Sequence, residues 1–92
     1  MENMINKDRV KQFMKVDTGH IVKDTIYNDL YVVAQVDELM YQLIGVSECC
    51  FGNRCTDDCF MKEDLIIYLA SETDFEYFGE FKDYCRYVSN ME

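Results

Sequence analysis

Between residues 30 and 47 the chain spells out two strands and the turn that joins them. Leu30, Val32, Ala34 and Val36 alternate with Tyr31, Val33 and Gln35. After Asp37-Glu38-Leu39, the residues Gln42, Ile44 and Val46 alternate with Tyr41, Leu43 and Gly45. β-branched and aromatic side chains at a period of two suit a pleated surface buried on at least one face. Three connecting residues leave room only for a hairpin, so residues 30–36 and 40–47 are expected to pair antiparallel. Residues 20–23 add a shorter strand-like run ahead of the turn Tyr27-Asn28-Asp29. The result is a three-stranded meander, as a curved sheet or a small barrel. Gly45 within the second run marks a bulge or a bend.

Helical periods flank this meander. Ile5, Val10, Phe13 and Met14 share one stripe over roughly residues 3–14, and Asp17-Thr18-Gly19 ends it. Glu63 and Asp64 precede the apolar run 65–70, and acidic residues favour the first turn of a helix. So short an apolar run also suits a buried strand. Further on, Thr73-Asp74-Phe75-Glu76 has capping-box spacing. Phe75, Phe78, Phe81 or Lys82, Cys85 and Val88 then recur three and four apart, which predicts one helix over residues 74–89 with Phe78 facing the core. Gly79 is its weak point, at a cost of ~1 kcal/mol against Ala. The expected fold is α+β. A short antiparallel sheet or small barrel of about three or four strands is flanked by an N-terminal helix and one or two C-terminal helices. Residues 1–92 form a single domain.

Charge narrows the class of partner. The 92 residues carry a formal charge of −9, with no proline and thirteen Phe and Tyr. Residues 1–23 balance at +2, while residues 24–92 balance at −11. Such a surface repels phosphate, so direct binding of nucleic acid is not expected, whereas a basic protein would be attracted and its association speeded. The longest apolar run, residues 65–70, falls far short of the ~20 residues that span a membrane. Residues 1–15 lack an unbroken apolar segment of the secretory kind. These readings point to a cytoplasmic protein that touches no membrane.

Four of the five cysteines fall within residues 49–59, as Cys49, Cys50, Cys55 and Cys59. Cys50, Cys55 and Cys59 offer three thiolates to a structural zinc, with Cys49, Cys85 or His20 as the fourth ligand. The spacing lacks a Cys-x2-Cys knuckle. Reduced cysteines, some buried as small hydrophobes, therefore stand as the first expectation, with no cofactor. The turn 51–54 would set Cys49 or Cys50 across a hairpin from Cys55. Zinc or thiol chemistry centred on residues 49–59 gives the alternative function, a metal-stabilised or thiol-based regulatory domain.

No phosphate-binding glycine loop or nucleophile elbow occurs, and His20, the only histidine, has no catalytic partner nearby in sequence. An enzyme is not expected. Acidic and tyrosine residues instead mark out a contact surface. On a continuous helix Glu76, Glu80 and Asp83 would line one face beside Tyr77 and Tyr84. Asp37 and Glu38 in the hairpin turn and Asp57 and Asp58 in the cysteine segment add to it. Tyrosine among carboxylates is a composition suited to protein recognition.

In size, charge and composition the chain resembles the small acidic single-domain proteins by which bacteriophages block host defences, such as anti-CRISPR inhibitors and DNA mimics. The resemblance implies an inhibitor whose acidic surface occupies a nucleic-acid channel on a basic host protein. It carries over no individual residue.

Overall fold

The computed structural model describes residues 7–71 and 74–90. In chain order these form α1 (Lys7–Phe13), β1 (Ile21–Asp24), β2 (Asp29–Gln35), β3 (Tyr41–Gly45), a 3-10 turn (Glu48–Cys50), α2 (Lys62–Ser71), β4 (Phe75–Gly79) and α3 (Phe81–Asn90). The four strands make one antiparallel sheet in the order β3-β2-β1-β4. This is the α+β arrangement expected, as a sheet with helices before and after it. The first residues of the expected N-terminal helix lie outside the described residues, and α1 ends at Phe13.

The meander follows from its local chemistry. Asn28 adopts the left-handed conformation, φ 59°, that the tight β1–β2 connection requires and that asparagine tolerates. Asp24 Oδ1 accepts the Ile26 N–H at 3.0 Å and steadies the same turn. Val22 pairs with Tyr31, and Val33 with Leu43, so their side chains share one face. Phe75 joins them, and all five pack against Phe13, Val16, Leu65 and Leu69 from the α1 and α2 side. The opposite face carries Ile21, Leu30, Val32 and Ile44. There α3 crosses, with Tyr87 edge-on to Phe78 at 5.4 Å.

Residues 74–89 do not form the single helix their spacing predicts. Phe75–Gly79 is the edge strand β4, paired with β1, and the helix starts only at Phe81. A Phe-Glu-Tyr-Phe-Gly run satisfies strand alternation as well as helical spacing, and the exposed side of β1 decides between them. The Asp74 carbonyl takes hydrogen bonds from the Thr25 N–H (2.8 Å) and hydroxyl (2.9 Å), which fixes the entry to β4. At the far end Gly79 has φ +157°, a region closed to other residues, and Asp83 Oδ2 accepts the Glu80 N–H at 2.8 Å. The capping interaction thus sits seven residues later than the one read from Thr73, which itself lies outside the described residues. Phe78 is half-buried under α3, away from the main core.

Other parts of the chain bond to both edges of the sheet. Along β3 the chain returns as residues 52–60: Cys55 N–H donates to Leu43 O (2.8 Å), Gly45 N–H to Asn53 O (2.8 Å), and Tyr41 and Phe60 exchange both bonds. The cysteine segment is therefore an edge cover on β3. It does not make the separate hairpin that its turn residues suggest. Along β4, Gln12 Oε1 accepts the Tyr77 N–H (2.8 Å), and the Arg9 guanidinium donates to Phe75 O (2.8 Å). Arg9 also donates to Leu69 O (3.1 Å) and Ala70 O (3.0 Å), carbonyls of the last turn of α2, which has no basic residue of its own. Among the described residues no helix is long and apolar enough to cross a membrane.

Among the described residues one buried side-chain donor is unmet. Gln42, opposite Ala34 in β3, is 4% exposed, and its Nε2 has no hydrogen-bond partner among the described residues. A buried unpaired amide costs ~1–3 kcal/mol. Gln42→Leu, of similar volume, is expected to stabilise the fold by ~1 kcal/mol and raise the urea midpoint. A lowered midpoint would show that the amide is satisfied in solution.

Candidate functional site

The zinc candidates sit in three different surroundings. Cys50 is buried behind β2, its thiol 3.1 Å from Ser47 Oγ and donating to Leu30 O at 3.6 Å. Cys55 is half-buried with its sulfur 3.8 Å from the Tyr68 hydroxyl, and Cys59 is exposed on the bulge between the two points where residues 52–60 bond to β3. Cys49 and Cys85 are exposed as well, and no disulfide joins any of the five. Among the described residues no group of three or more His, Cys, Asp or Glu side chains is placed to hold a metal ion.

His20 has a structural partner. Its Nδ1 shares a hydrogen bond of 3.1 Å with the Tyr77 hydroxyl, and the Lys15 ammonium lies 4.2 Å from the centre of the Tyr77 ring. Burial raises the Tyr77 pKa, and the nearby Glu80 and Asp83 carboxylates add to the rise. A phenol held protonated in this way is a poor nucleophile, and the trio joins the α1–β1 connection to β4.

The acidic residues expected to form one helical face are dispersed by the break at Gly79. Glu76 stands on β4 next to Lys23 of β1, and Glu80 lies in the link to α3. Asp83 caps α3 and lies 3.9 Å from Arg86. Replacing these three together would therefore disturb a helix start as well as surface charge. Asp37 and Glu38 occupy the β2–β3 hairpin, at the far end of the sheet from the β1–β2 turn, and Asp57 lies beside Arg54 in the bulge with Asp58. Tyr77 is engaged as described. Of the predicted contact residues, Tyr84 enters a common hollow with other recognition-type side chains.

That hollow lies where α3 meets the β1–β2 turn and the 3-10 turn, and encloses about 440 Å³. Tyr27, Tyr84 and Tyr87 contribute aromatic wall, Leu30 and Val88 apolar floor, and Asp29 and Glu48 the acidic rim. The Tyr84 hydroxyl donates to Val46 O at 2.7 Å, which ties α3 across the sheet. Asp29 Oδ1 accepts from Ser47 Oγ at 3.5 Å, and the same hydroxyl accepts the Leu30 N–H at 2.9 Å. Among the described residues neither Asp29 nor Glu48 has a basic partner. The Tyr31 pKa is raised mainly by burial, with further contributions from Cys55, Cys50, Asp29 and Asp24. Lys23 lines a second hollow, which shares Asn28, Leu30 and Tyr87 with the first.

Most of this site escapes the sequence. Its residues come from positions 27–30, 46–49 and 84–88, and Tyr27 and Asp29 read only as turn residues. Beyond Tyr84, a further cue is Tyr27, a large aromatic in a polar turn, which the structure leaves 74% exposed. Comparison of the chain with protein-family models, with curated proteins and with solved structures finds no match in any of the three.

Proposed function

We propose that the chain is a non-enzymatic binding module that docks its acidic, tyrosine-bearing surface on a basic partner protein. The partner surface is one that would otherwise hold nucleic acid, so the chain acts as an inhibitor, in the manner of the anti-defence proteins it resembles. The observation that carries this reading is the groove: three tyrosines and two carboxylates without basic partners among the described residues, on a chain of charge −9. Aromatic anchors within a polar rim are the composition of binding hot spots, and the surrounding field steers a cation toward them. A zinc- or thiol-centred function for residues 49–59 has less behind it, because Cys50 is buried and Cys55 serves the β3 edge.

Competition tests the proposal. Against a panel of basic nucleic-acid-binding proteins, the chain is expected to displace labelled DNA or RNA from its target. Its affinity is expected to fall at least ~10-fold between about 50 and 200 mM salt, since the attraction is between exposed charges. A target bound equally well across that range, or through a neutral apolar surface, would overturn the proposal.

A further inference from the structure

We infer that the groove between α3 and the β1–β2 turn is a receptor for an arginine side chain presented by a basic peptide segment. The inference rests on the reading of the chain as a module for a basic partner and assigns that partner's anchor. The walls carry the rings of Tyr27, Tyr84 and Tyr87, and a guanidinium stacks on such faces by cation–π attraction. The rim carries Asp29 and Glu48, whose carboxylate oxygens match the forked N–H donors of the same group. α3 also ends here. Tyr87 and Val88 belong to its last turn, which holds no basic residue, so its terminal carbonyls add partial negative charge at the groove.

Two of the rings are held before any ligand arrives. Tyr84 is fixed by its bond to Val46 O and Tyr87 by its edge-on contact with Phe78, so binding spends little entropy in ordering them. The combination favours arginine over lysine, because an ammonium is more strongly hydrated and has no plane to stack. The hollow is open to solvent on one side, so the side chain can enter while its peptide stays outside.

The test is a titration of the full chain, followed by NMR, with acetyl-Gly-Arg-Gly-amide and its lysine and citrulline counterparts. The arginine peptide is expected to shift the ring signals of Tyr27, Tyr84 and Tyr87 saturably, with a Kd on the order of 1 mM. The lysine peptide should bind about threefold more weakly, and the neutral citrulline peptide should produce no saturable shift. Glu48→Gln, at an exposed position, should weaken the arginine peptide about threefold, and Tyr87→Leu about tenfold. The amide spectrum of each variant confirms that it is folded, and Glu48→Gln carries the test if Tyr87→Leu is not. Equal binding of arginine and citrulline, shifts centred on Asp37 and Glu38 or on Asp57 and Asp58, or indifference to Glu48→Gln would each overturn the assignment. Failure of the arginine peptide while the chain still displaces nucleic acid in a salt-dependent way overturns the groove and leaves the module reading standing. Arginine binding without any displacement supports the groove and overturns the inhibitor reading.

Discussion

Gly45→Ala is expected to lower the unfolding free energy by about 3 kcal/mol or more, enough to leave a small domain largely unfolded at modest urea concentrations. The cause is a contact. A Cβ on Gly45 would lie inside the carbonyl oxygen of Cys50 and 2.6 Å from the Cys50 sulfur. Backbone cannot yield as the end of a long side chain can, so the 3-10 turn would have to lift off the sheet. Lifting it breaks the bonds from Gly52 N–H to Gly45 O (2.9 Å) and from Gly45 N–H to Asn53 O (2.8 Å), and uncovers the buried Cys50 thiol. Urea unfolding followed by far-UV circular dichroism measures the loss. A cost below ~1 kcal/mol would mean that the turn moves freely, against the packing described. The same displacement carries away Glu48 and Cys49 from the groove wall, so any variant that survives folded should bind the arginine peptide poorly.

Arg9→Met should cost about 3 kcal/mol, although the side chain keeps its length and much of its apolar stem. One guanidinium serves the carbonyls of Leu69, Ala70 and Phe75 and lies 5.5 Å from the centre of the Phe13 ring. Without it, three partly buried acceptors on two other elements lose a charged donor, and α1 loses its tie to the C-terminal end of α2. Arg9→Lys should recover less than half of the loss, since an ammonium cannot reach three acceptors with a planar fork. Melting curves of the two variants, read against Gln42→Leu as a variant expected to gain stability, check the ranking. An Arg9→Met protein within ~1 kcal/mol of the parent would show that water replaces the guanidinium at all three carbonyls.

The meander was legible because its information is local. Alternation over residues 30–36 and 40–47 and turn residues at 27–29 and 37–39 place β2 and β3 to within a few residues, and Gly45 was marked as a special position. The reason for that glycine was not legible, because it lies in a contact with Cys50 five residues away across a turn. The stretch 74–89 failed for a different cause. Phe75 and Phe78 fit both a helical stripe and a strand, and only the vacant side of β1, some fifty residues earlier, selects the strand. The cysteine segment failed likewise: Phe51-Gly52-Asn53-Arg54 does turn, but the backbone before it forms the 3-10 turn and the backbone from Gly52 onward finds its partners on β3. The groove was the least legible part, since Tyr27, Glu48 and Tyr87 have no relation until three separate pieces of chain meet.

The bonded edges of the sheet decide how anything else can attach. Strand addition, in which an extended peptide extends a sheet through backbone bonds, needs a row of unmet N–H and C=O groups. On β3 that row is held by residues 52–60, and on β4 the Phe75 carbonyl and the Tyr77 N–H are held by Arg9 and Gln12. Affinity for the partner proposed above is then expected to come from side chains, which read the chemistry of what they touch, where backbone bonds would accept almost any extended segment.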